Sequence, residues 1–355
     1  MARTHTNMKE KFSAKTARSN QKKTGKPSSG NRFTPLEMPR LPRLISKSNG
    51  VKKHGINPVR KFSRGAFTPC ESLLTGFTEK WAPEGFNSSV IRKFQKIILQ
   101  HYEKRARVFP WRQTRDPYQI FVSEIMLQQT PVDRVIEKYK KFIFVFPDVF
   151  SLARAPLAKV LKGWLGLGYN RRAIALKKSA EIITKKFKGK LPESEKELLT
   201  LPGVGNYTAA AISVFAFNRP VVLLETNVRT VFIHFFFEDK SEVKDSEIIP
   251  LIQTTLDTTN PRRWYNALMD YGVMLKKTMP NPGRKSAHHT RQSRFEGSDR
   301  QIRGAILRGL AAGKAKSVLE IIQLVGSDPD RIKRILLQLQ EEGFVKRNKQ
   351  KIMIA

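Results

Sequence analysis

From Asn87 onward, apolar residues recur three or four positions apart. Val90, Ile91, Phe94, Ile97, Ile98 and Tyr102 mark the first such face and predict a helix, with Asn87 or Ser88 as its N-cap. Similar patterns predict helices from about Asp116 through SEIMLQQT, over VDRVIEKYKKFIFVF, PLAKVLKGW and RRAIALKKSAEIITKKF, over SEKELLTL, and from near Asn206. Later ones cover TNVRTVFIHFFF, DSEIIPLIQTTL and PRRWYNALMDYGVMLKK. Strict apolar–polar alternation is scarce before the C-terminus, so the core is expected to be all-α. Near the end, Ile302, Ile306 and Leu310 share a face, and Ser317 opens a second short helix. Asp328–Pro329 forms a cap and first turn before Ile332, Ile335, Leu336 and Leu339, and Gly343 stops that helix. FVKRNKQKIMIA then reads as a hairpin with a basic turn. Three helices and a hairpin predict a small winged-helix-like domain over 299–355.

Charge divides the chain further. Residues 1–66 hold 17 Lys and Arg against 2 Glu and lack apolar periodicity, which predicts a disordered basic tail, followed by a linker over 67–87. Residues 88–279 form the core, and 280–298 read as a basic linker. The net charge of +36 is spread over the whole of a 355-residue chain. That favours a nucleic acid, held through phosphates, over a single lipid-binding patch. No apolar run reaches the ~18 residues of a spanning helix, and no membrane partner is expected. The single cysteine, Cys70, excludes a disulfide framework or a thiolate-built metal centre within the chain. The adjacent His288 and His289 do not make a metal site, so none is expected.

The stretch LPGVGNYTAAAI, Leu201 to Ile212, raises the question of chemistry. Gly203 and Gly205 permit backbone angles closed to other residues and lead into a helix whose first N–H groups have no helical partner. Such a start binds phosphate. A plain corner between two packed helices fits the same five residues, and the pattern alone leaves both open.

The wider sequence carries a resemblance. LPGVG between two helices resembles the helix–hairpin–helix element of base-excision DNA glycosylases. FPWRQTRDPYQIFVSEIMLQQTPVDRV, Phe109 to Val135, resembles the catalytic segment of A/G-specific adenine DNA glycosylases. GWLGLGYNRRAIAL, LLETNVRTV and NALMDYGVMLKK resemble further segments of that family, and the similarity covers about residues 88–279. It implies a two-lobed helix–hairpin–helix core and removal of adenine mispaired with guanine or 8-oxoguanine. Glu124 then protonates the leaving purine at N7, and Glu225 stabilises the sugar cation. Tyr207 stands where strand-cutting relatives carry a lysine, which implies base removal without strand cleavage. Gly203, Val204 and Gly205 of the hairpin, Gln128 and Gln129, Arg112, Arg171, Arg172 and Asn227 are implied as DNA-binding. The partner implied is double-stranded DNA with a mismatched or damaged base, and the chain is expected to act as a monomer. Cytoplasmic, nucleoid-associated placement is expected if the source is bacterial, with organelle targeting by the basic N-terminus left open.

Three departures stand beside this. Glu225 replaces an aspartate and adds a methylene. After Tyr271 the family carries four cysteines for an iron–sulfur cluster; here KKTMPNPGRKSAHHT has none, so no cofactor is expected. The residues after the core do not resemble the family's 8-oxoguanine-sensing C-terminal module, so that module is expected to be absent. A thymine or uracil mismatch glycosylase is the alternative within the scaffold. A non-catalytic DNA-binding regulator is the alternative of another class.

Overall fold

The computed structural model describes residues 87–289, 293–313 and 315–355. The tail over 1–66, nearly all of the 67–87 linker, and Cys70 lie outside the described residues. Those described are mainly helical. Helix α1 spans Ser88–Arg105, and its cap is Asn87, whose Oδ1 accepts from the Ser89 and Val90 amides at 3.0 and 3.1 Å. A 3-10 turn over Pro110–Arg112 leads to α2, Pro117–Leu127. There follow α3 (Val132–Val145), α4 (Val149–Arg154), α5 (Leu157–Trp164), α6 (Arg171–Lys186), α7 (Glu195–Leu198) and α8 (Asn206–Phe217). These pack α2 on α8 and α3, and α6 on α4 and α5, around Phe121, Phe142 and Trp164.

A second lobe joins both ends of the core. α9 (Thr226–Phe236), α10 (Asp245–Thr255) and α11 (Pro261–Thr278) close on α1, which returns to pack along α11. Phe94 of α1 sits among Phe232 and Trp264, with ring centroids 5.4 and 5.8 Å away. The active-site residues described below come from both lobes.

The C-terminal part holds α12 (Asp299–Ala311), β1 (Lys316–Ser317), α13 (Val318–Val325), α14 (Pro329–Glu341), β2 (Val345–Asn348) and β3 (Lys351–Ile354). Its sheet is antiparallel in the order β1-β3-β2, so the hairpin gains a third strand that two residues could not announce in the sequence. α12 packs on α5 and joins this part to the first lobe's apolar core. Two other elements differ from expectation. α4 is a capped helix of 6 residues, with Asp148 and Ser151 bonding reciprocally, too short to show periodicity. Residues Pro282–Lys285, expected within a basic linker, form a 3-10 turn packed on α9, and Ser286 bridges to Val243.

Candidate active site

Glu124 lies near the end of α2, between Ser123 and Ile125, both fully buried, and is itself only 7% exposed. α2 is apolar all round because it is wedged between α3 and α8, so this carboxyl has no solvated face to occupy. Burial first, then the charge of Glu225, pushes its pKa up to about 8, against a smaller opposing pull from Arg112. The group therefore holds a proton at neutral pH.

Glu225 caps α9. Its Oε2 accepts from the Asn227 amide at 2.6 Å, and its Oε1 accepts from Asn227 Nδ2 at 3.0 Å. The preceding chain is pinned by Tyr265, whose hydroxyl donates to the Val221 carbonyl and accepts from the Leu223 amide, both at 2.9 Å. Asn227 Oδ1 in turn accepts from Lys276 Nζ of α11 at 2.9 Å. This meeting of α9 and α11 depends on Gly272, where an added Cβ would lie 2.4 Å from the Asn227 carbonyl oxygen. Asn227, expected to bind DNA, uses its amide inside this chain of bonds and positions Glu225. Lys276 carries a lowered pKa, from burial above all, with the charge of Glu225 opposing that fall.

The hairpin supplies the third group. Gly203 has φ +80°, and a Cβ there would stand 2.8 Å from the Ala175 methyl. Gly205 has φ −102° and open space in the Cβ direction. Gly203→Ala is expected to destabilise the chain by about 1–2 kcal/mol and Gly205→Ala by under about 0.5 kcal/mol, read by urea unfolding. As N-cap, Gly205 offers α8 no side-chain acceptor, which leaves the first turn without a capping side chain. Val204 is buried beneath. Tyr207, in that turn, is 40% exposed, yet burial of its hydroxyl and the charges of Glu124 and Glu225 raise its pKa well above the ordinary value. The three groups thus share one electrostatic neighbourhood.

Glu124, Glu225 and Tyr207 line two connected spaces. The inner one is a chamber of about 280 Å³, walled by Phe109, Trp111 and Phe215. Phe109 and Trp111 stack with centroids 5.2 Å apart. The size is near the small end of ligand sites, suited to one heterocycle. The outer space is a cleft of about 1260 Å³ between the core and α12. The carboxyls sit where the two meet.

Several residues expected to bind DNA also hold partners inside the chain. Arg112 is clamped by Asp270, at 2.9 Å through each of two nitrogens, and also donates to the Arg107 carbonyl. Arg172 is buried and donates to the carbonyls of Ile125 and Met126 at 2.8 Å, closing the C-terminus of α2. Gln128 donates from Nε2 to the Gly203 carbonyl and to Thr208 Oγ1, both at 3.0 Å, so it ties α2 to the hairpin. Gln129, at φ 52°, lines the outer cleft. Arg171 is exposed there but forks onto Glu342 of the C-terminal part. Sequence reading missed Asp270, Lys276 and Asn266. Asn266 is 8% exposed, lines the chamber, and makes no side-chain hydrogen bond among the described residues. All three lie within NALMDYGVMLKK, where helical phase could have marked Asn266 and Asp270 as buried polar residues.

The segment beyond α11 does not fit an iron–sulfur cluster. Such clusters are held by thiolates, and residues 276–289 contain none. Among the described residues no group of three metal-ligating side chains occurs. The Pro282–Lys285 turn packs on α9.

The sequence matches the model of the HhH-GPD superfamily base excision DNA repair protein over residues 122–249. It is 36% identical over 186 residues to the adenine DNA glycosylase of Buchnera aphidicola subsp. Baizongia pistaciae, covering 51% of this chain and 52% of that one. It thus spans about half the length of that relative. With the adenine DNA glycosylase of Mycolicibacterium smegmatis it shares 33% identity over 270 residues, 70% of this chain and 91% of the other. It is also 36% identical to a thymine/uracil-DNA glycosylase of Methanothermobacter thermautotrophicus, over 51% of this chain and 84% of that one. With the fold and buried carboxyl described above, these matches place the chain in the HhH-GPD superfamily of base excision DNA repair proteins.

Proposed function

We propose that this chain is a monofunctional DNA glycosylase that removes adenine mispaired with guanine or 8-oxoguanine. The observation that carries the reading is Glu124: a carboxyl kept protonated to about pH 8, at the junction of a heterocycle-sized chamber and an arginine-lined cleft. The target base leaves the stack and enters the chamber against Phe109 and Trp111. Glu124 gives its proton to N7, the glycosidic electrons leave with the base, and Glu225 faces the sugar cation. Water then closes the reaction. Tyr207 lacks the amine that a Schiff base requires, so the strand stays whole. Gly205 and the uncapped start of α8 receive a phosphate.

The experiment is incubation of the chain with duplexes carrying A:G, A:8-oxoguanine, G:T or G:U, with and without alkali. Breakage of the adenine-containing duplexes only after alkali, with no borohydride-trapped adduct, is expected. Glu225→Gln is expected to lower the single-turnover rate by about 10²-fold or more. Release of thymine or uracil instead would establish the second reading, which the Methanothermobacter relative favours. Tight binding with no cleavage would leave a regulator.

A further inference from the structure

The outer cleft has two walls, and only one belongs to the core. Seven arginines line it against two acids, and those acids are Glu124 and Glu225 at its floor. Most of the arginines are engaged. Arg171 and Arg303 share Glu342, whose pKa the Arg171 hydrogen bond, with help from Arg303, pulls down to about 2 despite some burial. Arg229 pairs with Asp245 at 2.7 Å, and Arg300 donates to the Tyr169 hydroxyl at 2.8 Å. Arg172 is buried under α2. Arg134, on α3, and Arg308, on α12, differ. Each is exposed, each lines the cleft, and neither guanidinium has a hydrogen-bond or acidic partner among the described residues. Phe295, 59% exposed, lines the same cleft from the α12 side.

Free guanidiniums on the two walls of one channel fit a chain of phosphates, and an exposed aromatic ring lining the same channel fits bases. We infer that the C-terminal part is the second wall of the nucleic-acid channel: a DNA strand lies in the outer cleft with phosphates on Arg134 from the core and on Arg308 from α12. This rests on the proposed glycosylase reading for the identity of the polyanion. It assigns contact to the first helix of the C-terminal part rather than to its third helix or basic hairpin. The Arg171–Glu342–Arg303 bridge holds that wall in place.

The test is the salt dependence of binding, measured with the full chain and a short duplex carrying one A:G pair. Removing one phosphate-binding cation lowers the slope of log K against log salt by about 0.9. Arg308→Gln and Arg134→Gln are each expected to lower it by about that amount, and the double variant by about twice as much. Arg308→Lys is expected to keep the parental slope. Arg92→Gln, on the exposed face of α1 away from the cleft, is expected to leave it unchanged. A parental slope in Arg308→Gln, with a lowered one in Arg134→Gln, would overturn the inference while leaving the glycosylase reading intact. Parental slopes in both would place the channel elsewhere and overturn it too. No binding of any duplex by the parent chain would overturn both readings.

Discussion

Glu124→Gln is expected to lower the single-turnover rate of base release by about 10²- to 10⁴-fold, the range for loss of a general acid, with duplex affinity nearly unchanged. Glutamine fills the same buried volume and keeps a polar end, so the chamber persists while the proton is lost. The pH profile carries the same assignment. With a pKa of about 8, wild-type activity should fall about tenfold per pH unit above that value, and the variant should lack this limb. Stability supplies an independent reading. The pKa is raised on folding, from 4.5 to about 8, so the folded chain binds a proton that the unfolded chain releases in that window. Stability contributed by this group is therefore full below about pH 4.5 and declines as pH rises to about 8. Glu124→Gln removes the decline. Relative to wild type it should gain roughly a few kcal/mol between about pH 4 and about pH 9, measured by urea unfolding at both.

Asp270→Ala is expected to cost about 3–5 kcal/mol of stability, the toll of stranding buried charge. The Asp270 side chain is 1% exposed and accepts from Arg107 Nε at 2.6 Å, from the Arg107 amide at 2.9 Å and from two nitrogens of Arg112. Burial alone would raise its pKa, but the hydrogen bonds and charge of Arg112, then those of Arg107, outweigh it and hold the carboxyl below its usual value. Removing it leaves the Arg112 guanidinium, largely enclosed, without an anion. Asp270→Asn keeps the acceptor without the charge and should lose less. Arg112 also moderates the Glu124 pKa, so Asp270→Ala, if it lets Arg112 swing away, should shift the alkaline limb of activity upward in pH. A variant as stable as wild type would refute the clamp.

Much of this arrangement is legible in the chain. Asn87, Ser317 and Asp328 cap the helices that the apolar spacing predicts, because a short side-chain acceptor meets amides only two or three residues away. Gly203 and Gly343 both have positive φ, where a side chain is penalised. Those features are local, and local sterics and hydrogen bonds act through neighbours in sequence.

The charged residues behave differently. The resemblance implied Arg112, Arg172 and Gln128 as contacts for DNA, and nothing along the chain shows the partners they hold inside it. Their partners lie at Asp270, at the end of α2 and on the hairpin, 158, 46 or 47, and 75 or 80 positions away. The same distance in sequence hid Lys276, which reaches Glu225 only through Asn227 and only because Gly272 lets α11 approach α9. By itself the sequence determined most of the helical elements, their caps and the hairpin, since each depends on periodicity and nearest neighbours; the proton on Glu124 comes from burial between α3 and α8 and from the charge of Glu225. The tertiary structure alone decided which cations are spent on buried ion pairs and which face the cleft. Desolvation and ion pairing depend on what surrounds a group in space, and no spacing along the chain records that.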